Sequence, residues 1–227
     1  MPTVLITGAN RGLGLEFVRQ YSEQNWNVIA TCRNPRQASH LNNLGRNISI
    51  KPLDVRDLDS ITKCADELNS FPIDILILNA GVFPQKGATL AETDFDLWAD
   101  GFQTNAVSAA KLALCFKENI LKSKQKKIIA LSSKAGSMTE NKTSGNFIYR
   151  SSKSALNSII VGLAEEFQNE GITCVAIIPG MTQTDMGGPK APRTAKISVK
   201  DMRSVISTLT QKESGLFLDY DGNEIAW

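Results

Sequence analysis

Seven short runs rich in Val, Ile and Leu punctuate the chain at Val4–Thr7, Asn27–Thr31, Ile48–Leu53, Ile73–Leu78, Lys127–Ser132, Ile172–Ile178 and Leu216–Tyr220. Near-continuous apolarity over so few residues predicts strands buried on both faces, the pattern of a parallel sheet. Between them, polar and apolar residues interleave at helical spacing over Gly14–Gln24, Asp57–Ser70, Asp94–Lys122, Ile148–Asn169 and Val199–Gln211. Thr93 with Asp96, and Ser198 with Asp201, read as helix-start signals. Strand and helix alternate from end to end, which predicts an α/β fold: a doubly wound parallel sheet of about seven strands with helices on both faces.

Length and composition narrow this to one domain. The chain has 227 residues, against about 150 for an ordinary domain, and 42% apolar residues fill one core without disulfides or a structural metal. His40 is the single histidine and lies in a polar stretch that reads as a surface connection, so histidine-based metal sites and Ser-His-Asp chemistry are excluded. Cysteines 32, 64, 115 and 174 fit no CxxC or zinc-ribbon spacing and suit a reducing compartment. A net charge of +2 gives no general field for nucleic acid or an anionic membrane, and the four lysines between Lys122 and Lys127 read as a solvated helix end. The amino-terminal residues lack a signal-peptide pattern and no apolar run is long enough to span a bilayer, so the expected location is cytoplasmic.

The candidate chemistry begins where the first strand ends. Thr7-Gly8-Ala9-Asn10-Arg11-Gly12-Leu13-Gly14 leads into a helix, and glycines at 8, 12 and 14 let a pyrophosphate approach free N–H groups at the helix start. The second strand ends in Cys32-Arg33 with no acid to accept from a ribose hydroxyl, while Arg11 and Arg33 suit a 2′-phosphate; the cofactor expected is NADP(H). The segment 179–197 holds three Pro and three Gly and leaves the carboxyl end of a strand, where ligands bind in such sheets. It reads as a lid. On a helix, Tyr149 and Lys153 are four residues apart and share a face, so phenol and ammonium can enter one site and move a proton without histidine.

Taken together, TGANRGLG, Leu78-Asn79-Ala80-Gly81, Asn105, Ser133, Tyr149 with Lys153, and Pro179-Gly180 followed by Thr184-Asp185-Met186 resemble the short-chain dehydrogenase/reductase family over nearly the whole chain. The Arg11 loop, the Cys32-Arg33-Asn34-Pro35 turn and the ending Asp219–Trp227 are most similar to its C-factor and sniffer-like carbonyl reductases. The resemblance implies a single Rossmann-type domain over residues 1–227. It also implies that Tyr149 is the general acid, that Lys153 holds the nicotinamide ribose and lowers the phenol's pKa, and that Ser133 bonds the substrate oxygen. Asn105 would hold a water that links Lys153 to solvent. Gly8, Asn10, Arg11, Gly12, Leu13, Gly14 and Arg33 would meet the cofactor's phosphates. Asp54 and Val55 would meet its adenine, and Asn79, Ala80, Gly81, Pro179, Gly180, Thr182 and Thr184 the remainder.

Two departures stand out. Leu78 replaces the Asn that often opens the Asn-Asn-Ala-Gly element, and the interval from Ser133 to Tyr149 is a few residues longer than the family's commonest, which leaves Ser132 and Ser137 as alternatives. The expected function is NADPH-dependent reduction of a ketone or aldehyde to an alcohol, with a small-molecule partner and neither nucleic acid nor membrane. The rival is a signalling or cofactor-sensing protein of the same fold. A homodimer through the helices carrying Asn105 and Tyr149 is expected by family analogy.

Overall fold

Each apolar run becomes a strand whose successive side chains enter opposite layers. The computed structural model describes residues 1–42, 44–45 and 47–227. In chain order they form β1 (Thr3–Ile6), α1 (Gly12–Glu23), β2 (Asn27–Cys32), α2 (Ser39–Asn42), β3 (Ile48–Pro52), α3 (Leu58–Glu67), β4 (Ile75–Leu78) and α4 (Phe95–Phe102). A π-helical turn (Gln103–Val107) leads to α5 (Ser108–Leu121), β5 (Lys127–Leu131), α6 (Phe147–Glu166), β6 (Thr173–Ile178), β7 (Thr182–Gln183), β8 (Arg193–Thr194), α7 (Ala195–Thr208) and β9 (Phe217–Asp219).

Seven strands make one parallel sheet in the order β3-β2-β1-β4-β5-β6-β9, a single-domain Rossmann-like α/β fold. Central β1 sets Leu5 opposite Ile29 on β2 and Leu76 on β4. Leu5, Leu76, Leu78 and Ile128 face one layer, where they pack with Phe116 of α5 and Ile160 of α6. Their neighbours Val4, Ile6, Ile75 and Ile77 face the other, with Phe17 of α1 and Met202 of α7. Both faces are therefore covered, which is why the strands read as continuous apolar runs. The strand order reverses between β1 and β4, and the crevice opens beyond their carboxyl ends.

Several local expectations are corrected. The predicted helix over Asp94–Lys122 is interrupted by the π turn that carries Asn105. Its cap is Asp94, whose carboxylate accepts from the Asp96 and Leu97 amides, not Thr93. The helix α7 starts four residues earlier than its periodicity suggests, with Thr194 rather than Ser198 as cap, because Ser198 turns inward to Thr182 and Pro179. The segment 179–197 accordingly contains the small β7–β8 pair and the start of α7. Lys127 is not solvated: it begins β5, buried, and donates to the Ile206 carbonyl at 2.8 Å. His40 lies exposed on the short α2.

Candidate active site

Thr7, just past β1, ties two walls of the crevice together. Its hydroxyl donates to the Ile77 carbonyl and accepts from the Asn79 and Ala80 amides at 3.0 Å each. The Asn79 side chain returns the link, donating to the Thr7 and Gly8 carbonyls at 2.7 and 3.1 Å. Asn79 thus braces the glycine turn as well as lining the cleft. Gly8 has φ 64°, and a Cβ there would stand 3.0 Å from Ala80 Cα. A Cβ on Gly14 would collide with the Gly8 carbonyl and lie 2.6 Å from Asn79 Nδ2, so Gly14 serves close packing and does not line the cleft. The first turn of α1 carries no acidic residue, which leaves its amides and dipole to an anion.

The cleft measures about 920 Å³. Gly8, Asn10, Arg11, Gly12, Leu13, Arg33, Asp54, Val55, Asn79, Ala80, Gly81, Tyr149, Lys153, Pro179 and Thr184 all line it. At its outer end Arg33 is exposed and Arg11 reaches the lid, pairing with Asp185 at 3.0 Å. Burial works against the ionised Asp54, but hydrogen bonds from Arg56 and the charges of Arg56 and Arg33 outweigh it and hold the carboxyl below its ordinary value. Asp54 is therefore an anion flanked by cations. Arg56, which also lines the cleft, carried no motif that would single it out.

The inner end holds the predicted proton-transfer residues. Asn146 in the left-handed region starts α6, which places Tyr149 and Lys153 one turn apart, both buried. The Lys153 ammonium donates to the Leu131 carbonyl at 2.7 Å and stands 5.8 Å from the centre of the Tyr149 ring. Burial pushes Lys153 down to about 8. Burial also raises the Tyr149 phenol, and the Ser133 hydroxyl beside it acts in the opposite direction. Burial is the larger of these two influences, so Tyr149 stays protonated at neutral pH.

Of the three candidate serines, Ser133 is the one beside the phenol. It caps a short turn over Lys134–Gly136 and accepts from the Ala135 amide at 3.2 Å. The Ser132 hydroxyl is buried and donates to Asn157 Oδ1 at 2.6 Å, while Ser137 donates to the Ala226 carbonyl at 2.6 Å. The Asn105 side chain is bonded to protein groups on both of its polar atoms. Its Oδ1 accepts from the Val82 amide at 2.8 Å, and its Nδ2 donates to the Val82 carbonyl and to Ser152 Oγ, both at 2.9 Å. The two groups do converge: a Cβ on Gly81 would lie 3.2 Å from Asn105 Oδ1 and 3.7 Å from Lys153 Nζ.

Two lid residues sit elsewhere than expected. Thr182 is buried, its hydroxyl within reach of the Pro179 and Gly180 carbonyls and of Ser198, and Gly180, with φ 72°, packs against Arg193 and Tyr220. Both shape the turn rather than the cleft wall. Pro179, Thr184, Asp185 and Met186 form the lid's contribution to the wall, and Lys86 from the facing loop donates to the Met186 carbonyl at 3.2 Å. Phe83, also on the wall, stacks on Tyr149 with ring centres 4.0 Å apart and planes at 11°. Only its position two residues beyond Gly81 could have marked it in the sequence.

Among the described residues no helix is long and apolar enough to cross a membrane, and no cluster of His, Cys, Asp or Glu could hold a metal ion. Residues 2–195 match the family described as short chain dehydrogenase. The C-signal protein of Myxococcus xanthus is 35% identical over 156 residues, covering 69% of this chain and 93% of its own. The structure of the carbonyl reductase Sniffer of D. melanogaster superposes with a TM-score of 0.94 at 34% identity over the full length of both chains. An NADPH-bound carbonyl reductase from chicken fatty liver gives 0.92 at 33% identity, covering 100% of this chain and 99% of that one. With its switch-point cleft and a buried tyrosine and lysine one helical turn apart, the chain belongs to the short-chain dehydrogenase family and is an oxidoreductase of the carbonyl-reductase type.

Proposed function

We propose that the protein reduces a ketone or aldehyde to an alcohol with NADPH. The observation that carries this reading is the placement of Tyr149 and Lys153 at the inner end of a cleft whose outer end presents Arg11 and Arg33, with the Ser133 hydroxyl beside the phenol. The residues fit the cofactor: the glycine turn is a cradle that Cβ atoms would fill, and the exposed guanidiniums suit a 2′-phosphate where an acid would repel it. The binding roles would fall to the amides of the glycine turn for the pyrophosphate, Arg11 and Arg33 for the 2′-phosphate, Asp54 and Val55 for the adenine, and Lys153 for the nicotinamide ribose. Bound NADPH supplies the hydride.

The chain's own residues handle the proton. Tyr149, kept protonated by burial, gives its phenolic proton to the carbonyl oxygen as negative charge builds there. The Ser133 hydroxyl donates a hydrogen bond to the same oxygen. Lys153, with a pKa of about 8, is mostly charged at neutral pH and offsets the phenolate left on Tyr149. The phenolate regains its proton from solvent. The test is Tyr149→Phe. We expect NADPH binding to persist, read by fluorescence, while carbonyl reduction falls by about 10²–10⁴-fold, the usual worth of a general acid. Reduction at the wild-type rate would overturn the assignment.

A further inference from the structure

The Phe83–Tyr149 stack has no part in the chemistry described so far. Aromatic pairs left to themselves favour offset or edge-on arrangements with centroids roughly 4.5–7 Å apart. Near-parallel rings 4.0 Å apart are therefore held there by their surroundings. Those surroundings are specific. The Asn105 side chain grips both the amide and the carbonyl of Val82, immediately before Phe83. Pro84 follows, fixed in backbone angle, and sits where a Cβ on Gly101 would be 3.7 Å from its ring. Phe83 is thus clamped from both sides of the chain, and its ring covers one face of the phenol.

We propose that Phe83 is a positioning residue for Tyr149: its clamped ring fixes the plane of the phenol and keeps water off that face, so that the hydroxyl points at the substrate oxygen beside Ser133. The inference rests on the general-acid role assigned to Tyr149 above. It also gives the Asn105 side chain a task in this chain, to hold the loop that holds Phe83. The charged groups around the pair are Lys153, on the same helix as Tyr149, and Lys86, whose ammonium stands 5.7 Å from the centre of the Phe83 ring. Both remain in every variant below.

Two readouts test the proposal, kcat at saturating NADPH and the ionisation of Tyr149 followed at 295 nm as the difference from the same protein carrying Tyr149→Phe. Phe83→Ala should lower kcat about tenfold, the scale of one aromatic pair, leave NADPH affinity unchanged, and let Tyr149 ionise about one pH unit lower as water reaches it. Phe83→Leu keeps the apolar cover without the flat face, so it should retain the ionisation pH yet not the rate. Phe83→Tyr should restore both. The proposal is overturned if Phe83→Ala stays within twofold of wild-type kcat with the same ionisation pH, or if Leu matches Phe in both. Should Phe83→Ala fail to fold, the Leu and Tyr variants decide. A wild-type protein without carbonyl reduction would overturn the proposed function instead, and the titration would then decide the stack alone.

Discussion

Lys153→Met should produce a protein that is inactive and more stable. The ammonium is buried and its pKa falls from 10.5 to about 8 by desolvation. At 1.36 kcal/mol per pH unit this difference amounts to roughly 3 kcal/mol of destabilisation of the charged form. Methionine is a similarly unbranched apolar side chain and avoids that cost. It leaves the Leu131 carbonyl, now bonded at 2.7 Å, without its donor. That omission costs about 1–2 kcal/mol. The net expectation at pH 7 is a gain of about 1–2 kcal/mol, or several degrees in Tm for a chain of this size. The sign has a pH signature. Between pH 8 and 10.5 the unfolded lysine still holds its proton while the folded one has lost it, so wild-type stability rises with pH through that window. The advantage of the Met variant should therefore be full below pH 8 and lost by about 3 kcal/mol as pH approaches 10.5. Urea unfolding of both proteins at pH 7, 8, 9 and 10 measures it. A Met variant less stable at pH 7, or a difference that does not change with pH, would refute the reasoning.

Other outcomes follow from the same geometry. Ser133→Ala should lower carbonyl reduction by about 10²-fold, as loss of an oxyanion donor does, whereas Ser137→Ala should leave kcat within a few-fold; parallel steady-state assays separate them. Arg33→Asp should place a carboxylate where a 2′-phosphate would lie and shift the NADPH/NADH preference, in kcat/KM, toward NADH by at least about tenfold. Gly14→Ala, whose methyl would strike the Gly8 carbonyl, should abolish NADPH binding or soluble expression, as judged by fluorescence titration and circular dichroism. Thr194→Ala removes the α7 cap, and its unfolding free energy should fall by about 1 kcal/mol.

The sheet was legible because burial on both faces writes itself into sequence as unbroken Val, Ile and Leu, and all seven expected strands are present within one or two residues of their bounds. Glycine needs at Gly8 and Gly14 were legible for a similar reason: only one residue type fits. The π turn was not, because a single wide turn leaves the helical periodicity of residues on either side intact. Nor were the start of α7 and the inward roles of Thr182 and Ser198, where a local capping rule lost to a tertiary hydrogen bond. Phe83 escaped because what matters about it is a neighbour distant in sequence, and Arg56 because its partner Asp54, only two residues away, forms no motif with it. The pairing of Tyr149 with Lys153 was visible, but not that burial would dominate the phenol's acidity.

The Thr7 hydroxyl, which fastens the glycine turn to the loop after β4, divides the cleft into parts with different freedom to change. Around it the floor is mutually bonded to the fully buried Thr7, so that one replacement disturbs Thr7, Gly8, Asn79 and Ala80 together. At the rim, Arg33 and Arg11 stand in water and support no core. Descendants of this sequence can therefore drift between cofactors by exchanging solvent-exposed side chains, with little effect on folding. A change in the floor would have to arrive as several compensating substitutions at once, and mutational scanning should show tolerance at Arg33 and near-complete intolerance at Thr7 and Asn79.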